Sequence, residues 1–277
     1  MNERIAEVPE GVDPDVPSSA RAYSYLLNPH EGYYFEVDKA VAQHAQSIVY
    51  EMTDVAQTNR VFVRRVTRWL VAHGIHQIID IGSGLPTDLN THEIAQAVEP
   101  EVRVVYVDKD LTTKIHGEAL VADNDRTIMV QADVREPKTI VDHPEIRAHL
   151  DFDQPIAYIM ASLFHMVPDE FDPHMIIRTL MDAVPSGSYM ALSQITSDDH
   201  SEEKVNGWYR FGDEVGEPAA LRTVEQIHSF FDGLELIPGY EGAPEDELVW
   251  SNQWGAKEPE KAHNYGSWIR AGLGRKP

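Results

Sequence analysis

The sequence IIDIGSGLPTDLN (residues 78–90) joins a short apolar run to a glycine-containing turn. Gly82 and Gly84 allow the backbone to turn sharply and let a ligand approach without a Cβ atom in the way. Thr87 stands where the loop that binds a dinucleotide pyrophosphate has its third glycine. The stretch predicts a strand-to-helix turn of an α/β fold, but an ordinary tight turn has the same glycines, so the loop alone does not identify a ligand.

Further apolar runs follow on either side of segments with helical periodicity. The runs that we predict to be strands are HQIIDIG (76–82), VRVVYVD (102–108), TIMVQAD (127–133), PIAYIMAS (155–162) and GSYMALSQI (187–195). Runs that are apolar on both faces and alternate with helices predict a parallel sheet buried between helical layers. Two later runs, LELI (234–237) and YGSWIRAGL (265–273), are expected to close the sheet as a hairpin-like pair. The fold class is therefore α/β, with a doubly wound, mostly parallel, seven-stranded sheet.

The segment before this sheet is predicted to be helical. Residues 18–74 contain three stretches with helical spacing, SSARAYSYLL, EVDKAVAQHAQSIVYEM and TNRVFVRRVTRWLVAHG, and Gly74 is a natural helix stop. Residues 1–17 hold three prolines and five acidic residues without periodicity, which indicates a flexible leader. We therefore expect a leader (1–17), a helical N-terminal extension or lid (18–74) and a Rossmann-like domain (75–277).

Composition excludes several classes of protein. The chain has 277 residues and no cysteine, so disulfides, thiol nucleophiles and cysteine-ligated metal sites are excluded. The longest uncharged apolar run, IAYIMASLF (156–164), is far shorter than the roughly 20 residues that cross a bilayer. The N-terminus lacks the apolar segment of a secretory signal, so we expect a cytoplasmic protein without a membrane partner.

The formal net charge of −23 bears on the partners of the protein. Nucleic-acid binders derive much of their affinity from basic surfaces that neutralise phosphates. The basic cluster in VFVRRVTRW (61–69) falls on a predicted helix, where we expect a solvated or salt-bridged face. Nucleic acid is therefore not the expected partner, and a small neutral or cationic ligand fits better.

Aspartates occur near the ends of the first three predicted strands. Asp108 lies 26 positions after Gly82 (108 − 82) and ends the second strand, which suits a carboxylate that accepts hydrogen bonds from ribose hydroxyls. Asp80 stands close to the place that a dinucleotide pyrophosphate would occupy, where like charges repel. A ligand with an amine and a sulfonium would be attracted there instead, and S-adenosylmethionine is such a ligand. An NAD(P)-dependent oxidoreductase is therefore disfavoured by Asp80 and Thr87.

Several motifs together resemble a known family. The sequences DIGSGLPT, VVYVDKD, QADVREP and FHMVPD resemble the successive motifs of class I, Rossmann-like S-adenosylmethionine-dependent methyltransferases. The N-terminal sequences PSSARAYSYLLNPHEGYYFEVDKA and TNRVFVRRVTRWL resemble more narrowly an actinobacterial S-adenosyl methyltransferase family, formerly a domain of unknown function. The likeness covers about residues 17–273, and in that family the pair Pro86-Thr87 is usual. Asn28-Pro29 departs from it, because many members have two glycines there.

The resemblance implies roles for individual residues. Those implied to hold the cofactor are Asp80 at the methionyl amine, Gly82, Ser83, Gly84 and Thr87 in the loop, Asp108 at the ribose, Lys109, Asp133 and Val134 at the adenine, and Ala161 and Ser162 at the methionyl end. His165 would then sit near the transferred methyl group, where it would position the acceptor or take its proton, or serve only as a structural histidine.

The methyl acceptor is expected to meet aromatic side chains. Candidates for a lid or for substrate recognition are Tyr23, Tyr25, Tyr34, Trp208 and Tyr209, and each of them is also compatible with plain core packing. Asp172 and Pro173 start a helix, so the acidic stretch around them is not expected to bind a metal. The predicted function is S-adenosylmethionine-dependent transfer of a methyl group to a small molecule, and a non-catalytic S-adenosylmethionine-binding regulator is the alternative.

Overall fold

The computed structural model describes residues 8–262 and 268–277, and these contain one mixed sheet. Its strands are β1 (Gln77–Ile81), β2 (Arg103–Asp108), β3 (Thr127–Gln131), β4 (Ala157–Ala161), β5 (Tyr189–Ile195), β6 (Glu235–Leu236), β7 (Val249–Trp250) and β8 (Ile269–Arg275). They are ordered β3-β2-β1-β4-β5-β8-β6, and β7 pairs with β8 beside this path. Strands β1 to β5 run parallel, whereas β8 is antiparallel to β5, β6 and β7.

The predicted fold class is confirmed. All five apolar runs form parallel strands, and every residue of β1 and β5 is buried, as expected for strands covered on both faces. The run LELI supplies β6, and the run at 265–273 supplies β8 from residue 269 onward, while residues 265–267 lie outside the described residues. The two-residue strand β7 was not predicted, because two residues carry no periodicity.

Helices cover both faces of the sheet. The described helices are α1 (Ser19–Leu27), α2 (Glu36–Ile48), α3 (Met52–Ala72), α4 (Thr91–Val98), α5 (Leu111–Val121), α6 (Pro137–Val141), α7 (Pro144–His149), α8 (Pro173–Asp182), α9 (Glu202–Glu214) and α10 (Val224–His228). One face packs against α6, α7, α8 and α10 in a single apolar cluster. The other face packs against α3, α4 and α5. The strand order reverses between β1 and β4, which is where a doubly wound sheet opens a crevice.

The N-terminal extension is helical, as predicted, but its helices break at a different place. Helix α2 ends at Ile48 and α3 already begins at Met52, so the second predicted helix is cut at residues 49–51. Helix α3 ends at Ala72, and Gly74 has a φ of +86°, a conformation that suits a glycine stop. Of the predicted leader, residues 1–7 lie outside the described part, and residues 8–17 contain neither helix nor strand.

The extension packs on the sheet rather than standing apart from it. Side chains of α1, α2, α3 and α9 form one apolar cluster that includes Ile195 at the end of β5. Arg21 of α1 and Asp38 of α2 form a buried ion pair with 2.7 Å between Nε and Oδ2. Across residues 8–262 and 268–277, each helix is too short or too polar to span a membrane.

Candidate functional site

A cleft opens at the carboxyl ends of the parallel strands, across the point where the strand order reverses. Counted to its open mouth, it encloses about 1340 Å³. The ends of β1, β2 and β3 line one half with glycines and carboxylates. The ends of β4 and β5 line the other half together with α1, α3 and α9, whose side chains there are mostly apolar. We call these the polar half and the apolar half.

The glycine turn after β1 forms the floor of the polar half. Gly82 and Gly84 have φ angles of +69° and +67°, which glycine adopts without strain. A Cβ atom on Gly82 would lie 2.7 Å from Cδ1 of Leu163, whereas one on Gly84 would meet no atom within 4 Å. Gly82 is therefore needed for the close packing of two strand ends, and Gly84 leaves its backbone open to the cleft.

Asp108, at the end of β2, is fixed by backbone hydrogen bonds. Its Oδ2 accepts from the N–H of Gly84 at 2.9 Å, and its Oδ1 accepts from the N–H of Asp110 at 2.9 Å. Each carboxylate oxygen has a further lone pair, so both can accept another hydrogen bond. Burial raises the pKa of Asp108 to about 6, against the opposing effect of the two backbone donors. The carboxylate is thus oriented but costly to ionise in the absence of a ligand.

Asp80 belongs to β1 and is almost fully buried. Its Oδ2 accepts a hydrogen bond from Oγ1 of Thr91 at 2.6 Å. Burial raises its pKa, while Thr91 and the nearby Arg60 favour the ionised form. Arg60, on α3, lines the same cleft and donates from Nη2 to Oγ1 of Thr87 at 2.8 Å. A positively charged ligand group beside Asp80 would further stabilise the ionised form of this buried carboxylate.

Ion pairs border the mouth of the polar half. Lys109 Nζ lies 3.2 Å from Oε2 of Glu217, and Ser19 of α1 donates to Oε1 of the same carboxylate at 3.1 Å. Asp133 accepts from Nε of Arg135 with both oxygens, each at 2.9 Å. The carboxylate implied to meet the adenine is therefore already paired, and a ligand has to share it with Arg135.

The apolar half is built around the cluster of α1, α2, α3 and α9. Lining residues that belong to this cluster are Tyr23, Leu26, Met52, Val55, Ala56, Met166, Ile195, Trp208 and Phe211. The Tyr23 hydroxyl donates to the carbonyl of Ala56 at 3.1 Å and accepts from Nδ2 of Asn59 at 3.3 Å. These polar groups satisfy one another, so the wall that faces a ligand is chiefly hydrocarbon and aromatic.

His165 lines the apolar half from the turn after β4. Its ring is buried against Trp208, with 6.2 Å between ring centroids. Arg222 holds the turn by donating to the carbonyls of Phe164 at 2.8 Å and Val167 at 2.9 Å. Burial, followed by the positive charge of Arg222, lowers the pKa of His165 to about 3. The imidazole is therefore neutral at physiological pH.

Most of the residues predicted from the sequence meet at this cleft. Those that line it are Tyr23, Asp80, Gly82, Ser83, Gly84, Asp108, Lys109, Asp133, Val134, Ala161, Ser162, His165 and Trp208. Ser162 has a φ of +54°, which places it in the left-handed region where glycine is favoured. The structure therefore brings these residues together at one cleft at the strand ends.

Four of the predicted residues lie outside the lining of this cleft. Thr87 is turned away, because its hydroxyl binds Arg60 and its N–H binds Asn90. Tyr25 and Tyr34 pack edge-to-face on each other, with ring centroids 5.0 Å apart. Tyr209 is exposed on α9, where it points away from its neighbour Trp208, which lines the cleft. These four do not touch the cavity that the others share.

Two arginines at the site were not predicted. Arg60 lies one residue before the basic stretch VFVRRVTRW (61–69) that we expected to be a solvated face, and the sequence gave no reason to single it out. Arg222 is nearly fully buried, and its Nη2 also lies 2.5 Å from Oδ1 of Asp169. In the sequence, Arg222 is an isolated arginine directly before the helix cap at Thr223, and this position gives no indication that its side chain is buried.

Comparisons with known proteins agree with this geometry. The profile of a family described as S-adenosyl methyltransferase matches residues 6–277. A proposed methyltransferase of Thermobifida fusca YX is 34% identical in sequence, covers 97% of this chain and 98% of its own, and superposes with a TM-score of 0.87. A DUF574 family protein of Streptomyces avermitilis MA-4680 is 33% identical, covers 96% and 99%, and superposes with a TM-score of 0.86. None of the curated proteins compared with the sequence matches it. The chain therefore belongs to the S-adenosyl methyltransferase family, its cofactor is S-adenosylmethionine, and the function that family and fold support is methyl transfer.

Proposed function

We propose that this protein transfers a methyl group from S-adenosylmethionine to a small apolar acceptor by in-line displacement. The observation that carries the proposal is the division of one cleft into a carboxylate-lined half and an apolar half, on either side of the point where the strand order reverses. The polar half suits a cationic nucleoside, and the apolar half suits a hydrocarbon or aromatic molecule. The two ligands would meet between β1 and β4.

The residues of the polar half fit the cofactor. Asp108 has a free lone pair on each oxygen for the ribose hydroxyls, and Gly82 and Gly84 keep the floor of the cleft free of side chains. Asp80 would pair with the methionyl ammonium. Asp133 and Val134 would border the adenine. When bound, S-adenosylmethionine supplies an electrophilic methyl group on a sulfonium, and the sulfur keeps the electron pair of the broken bond.

The residues of the apolar half would align the acceptor and exclude water. Among the described residues of this half, His165 and Trp208 each have a buried nitrogen atom without a hydrogen-bond partner, whereas Tyr23 and Asn59 are already bonded to protein groups. His165 is the one of the two that can either donate or accept a hydrogen bond to the acceptor. A histidine base is usually supported by a carboxylate on its second nitrogen. His165 lies instead beside the cation of Arg222, and its Nδ1 has no hydrogen-bond partner in the described structure. We therefore assign His165 to positioning the acceptor rather than to removing its proton.

Cofactor binding and methyl transfer test different parts of this proposal. Calorimetric titration with S-adenosylmethionine and, separately, with NADH should give binding of the first and little or none of the second. Incubation with methyl-labelled S-adenosylmethionine and a panel of small aromatic metabolites should then give a labelled small product. Tighter binding of NADH would refute the cofactor assignment. Binding of S-adenosylmethionine without turnover on any acceptor would favour a regulatory role.

A matched pair of variants on α9 tests the acceptor half. Trp208 lines the cleft, whereas its neighbour Tyr209 is 38% exposed and does not. We expect Trp208→Ala to raise the KM of an acceptor about tenfold or more, because it removes a large apolar contact, without changing the Kd of S-adenosylmethionine. Tyr209→Ala should change neither constant. Equal effects of the two substitutions would contradict the placement of the acceptor.

A further inference from the structure

A second groove lies on the outer side of α3. Counted to its open mouth, it encloses about 1270 Å³ between the end of α1, the following loop, the outer face of α3 and the loop after Gly84. Its lining is Ser24, Leu27, Asn28, Glu31, Gly32, Tyr33, Gln57, Arg60, Val61, Arg64, Leu85, Pro86, Thr87, Asp88 and His116. Of these, Arg60 also lines the cofactor cleft. We call this groove the α3 groove, and neither the family nor the proposed methyl transfer gives it a ligand.

Two guanidinium groups in the α3 groove have no carboxylate partner. Arg60 and Arg64 are four residues apart on α3, so their side chains extend from the same helix face. Arg60 donates from Nη2 to the hydroxyl of Thr87, and Arg64 donates from Nη2 to the backbone carbonyl of Asp88, each at 2.8 Å. Within the described residues neither arginine forms an ion pair. This is unexpected in a chain that has 46 acidic and 23 basic residues.

In the part of the chain that the structure describes, three buried nitrogen atoms around the groove also lack hydrogen-bond partners. They are Nε of Arg60, Nε of Arg64 and Nε2 of His116. A buried polar group without a partner costs free energy, and the cost is larger for a charged group. Burial and the neighbouring charge of Arg60 lower the pKa of Arg64, against the opposing charge of Asp88. An anion in the groove would supply the missing acceptors and the missing negative charge.

The acids near the groove do not replace such an anion. Glu31 and Asp88 line it, but both are exposed at its rim, and neither forms an ion pair with the arginines within the described chain. The charge of Asp110 acts on His116, yet its carboxylate is engaged by Ser18 and by the N-terminus of α5. The charges of Asp80 and Asp88 act on Arg60 and Arg64 respectively, but within the described residues neither carboxylate forms an ion pair with them, so the floor of the groove offers two guanidinium groups to an anion.

We propose that the α3 groove binds the anionic group of a small molecule, a carboxylate or a phosphate, between Arg60 and Arg64. A guanidinium donates two parallel N–H bonds to either group, and two guanidinium groups one helical turn apart can hold one anion between them. His116 would approach the same anion from α5. The proposal does not depend on the identity of the methyl acceptor.

Arginine side-chain NMR on the full-length protein tests this proposal. The Nε–H signals are followed while inorganic phosphate is added in one series and sodium malonate in another, at constant ionic strength. We expect saturable shifts of the Arg60 and Arg64 signals and none of Arg68, which is exposed one turn further along α3. The two series show whether phosphate or carboxylate is preferred. Uniform, non-saturating shifts of all arginines would overturn the proposal.

Three variants locate the anion. Arg64→Gln should weaken the binding about tenfold or more, because a charged hydrogen bond is lost, and Arg68→Gln should weaken it less than about twofold. Arg60→Gln should behave like Arg64→Gln. Thermal unfolding of each variant confirms that it is folded. Binding that survives Arg64→Gln but is lost in Arg60→Gln, or that is abolished by saturating S-adenosylmethionine, would place the anion in the cofactor cleft and refute the groove site.

Discussion

Replacement of Asp108 by asparagine tests whether burial of this carboxylate makes the stability of the protein depend on pH. The carboxylate is 8% exposed, and burial raises its pKa from 3.8 to about 6. A carboxyl group whose pKa is higher in the folded state binds more protons when folded. Its contribution to stability is therefore neutral below the unfolded pKa, becomes unfavourable as the pH rises through the interval from 3.8 to about 6, and stays unfavourable above it.

The size of this effect follows from the shift. A difference of about 2 pKa units corresponds to about 3 kcal/mol of unfolding free energy lost above about pH 7. Part of that loss has already occurred at about pH 5, so the change between about pH 5 and about pH 7.5 is on the order of 1 kcal/mol. Asparagine has no charge to desolvate and should lack this dependence. It also leaves one of the backbone N–H groups of Gly84 and Asp110 without an acceptor, which costs about 1 kcal/mol at every pH.

Urea unfolding at the two pH values measures the difference directly. We expect the unfolding free energy of Asp108→Asn, relative to the unsubstituted protein, to rise by about 1 kcal/mol between about pH 5 and about pH 7.5. Asp123→Asn is the control, because Asp123 is exposed after α5 and should give no such change. Asp108→Asn should also bind S-adenosylmethionine more weakly, by about 1–3 kcal/mol, because a carboxylate accepts hydrogen bonds from the ribose hydroxyls better than an amide does. A relative stability that is flat with pH would refute the buried, proton-binding state of Asp108.

Three further variants test how the walls of the cleft are built, each by urea unfolding. Arg222→Met should lower the unfolding free energy by about 2–4 kcal/mol, because it removes charged hydrogen bonds to buried carbonyls after β4; a loss below about 1 kcal/mol would contradict that role. Arg21→Met leaves the buried carboxylate of Asp38 without its partner and should cost about 3–5 kcal/mol, whereas a neutral result would mean that the pair is solvated. Gly207→Ala places a Cβ atom 2.4 Å from Cγ2 of Ile48, and it should lower the unfolding free energy by about 1–3 kcal/mol because it pushes α9 away from α2. An unchanged urea midpoint would show that the two helices adjust to the added atom without loss of stability.

The strands could be predicted because their signal is local. Each run that became β1 to β5 is apolar on both faces, and that pattern depends only on a few consecutive residues. The helix starts at Asp172 and Thr223 were equally local, and both side chains accept the backbone bond that a cap requires. Helix α9 was not predicted, because its apolar face, which includes Trp208 and Phe211, is interrupted by glycines and charges.

The parts of the site that the sequence did not reveal depend on long-range contacts. Arg222 donates a hydrogen bond to the carbonyl of Phe164, which is 58 residues away in sequence, and the residues next to Arg222 give no indication of that partner. Arg60 reaches a threonine 27 residues away because α3 crosses the loop after β1. The same contact explains Thr87, to which the family resemblance gave a place at the cofactor and which this guanidinium holds on the outer side of the loop.

The two halves of the cleft come from different parts of the architecture, and this has a consequence for specificity. The acids of the polar half lie at strand ends, where the sheet fixes their spacing. The apolar half is walled by Tyr23 of α1, Ala56 of α3 and Trp208 of α9, which belong to one apolar cluster built mainly from helices. Under the proposed function, substitutions in these three helices should change the choice of acceptor while the cofactor Kd stays constant. The helical extension is then part of the acceptor site itself, because without α1 and α3 the apolar half has no outer wall.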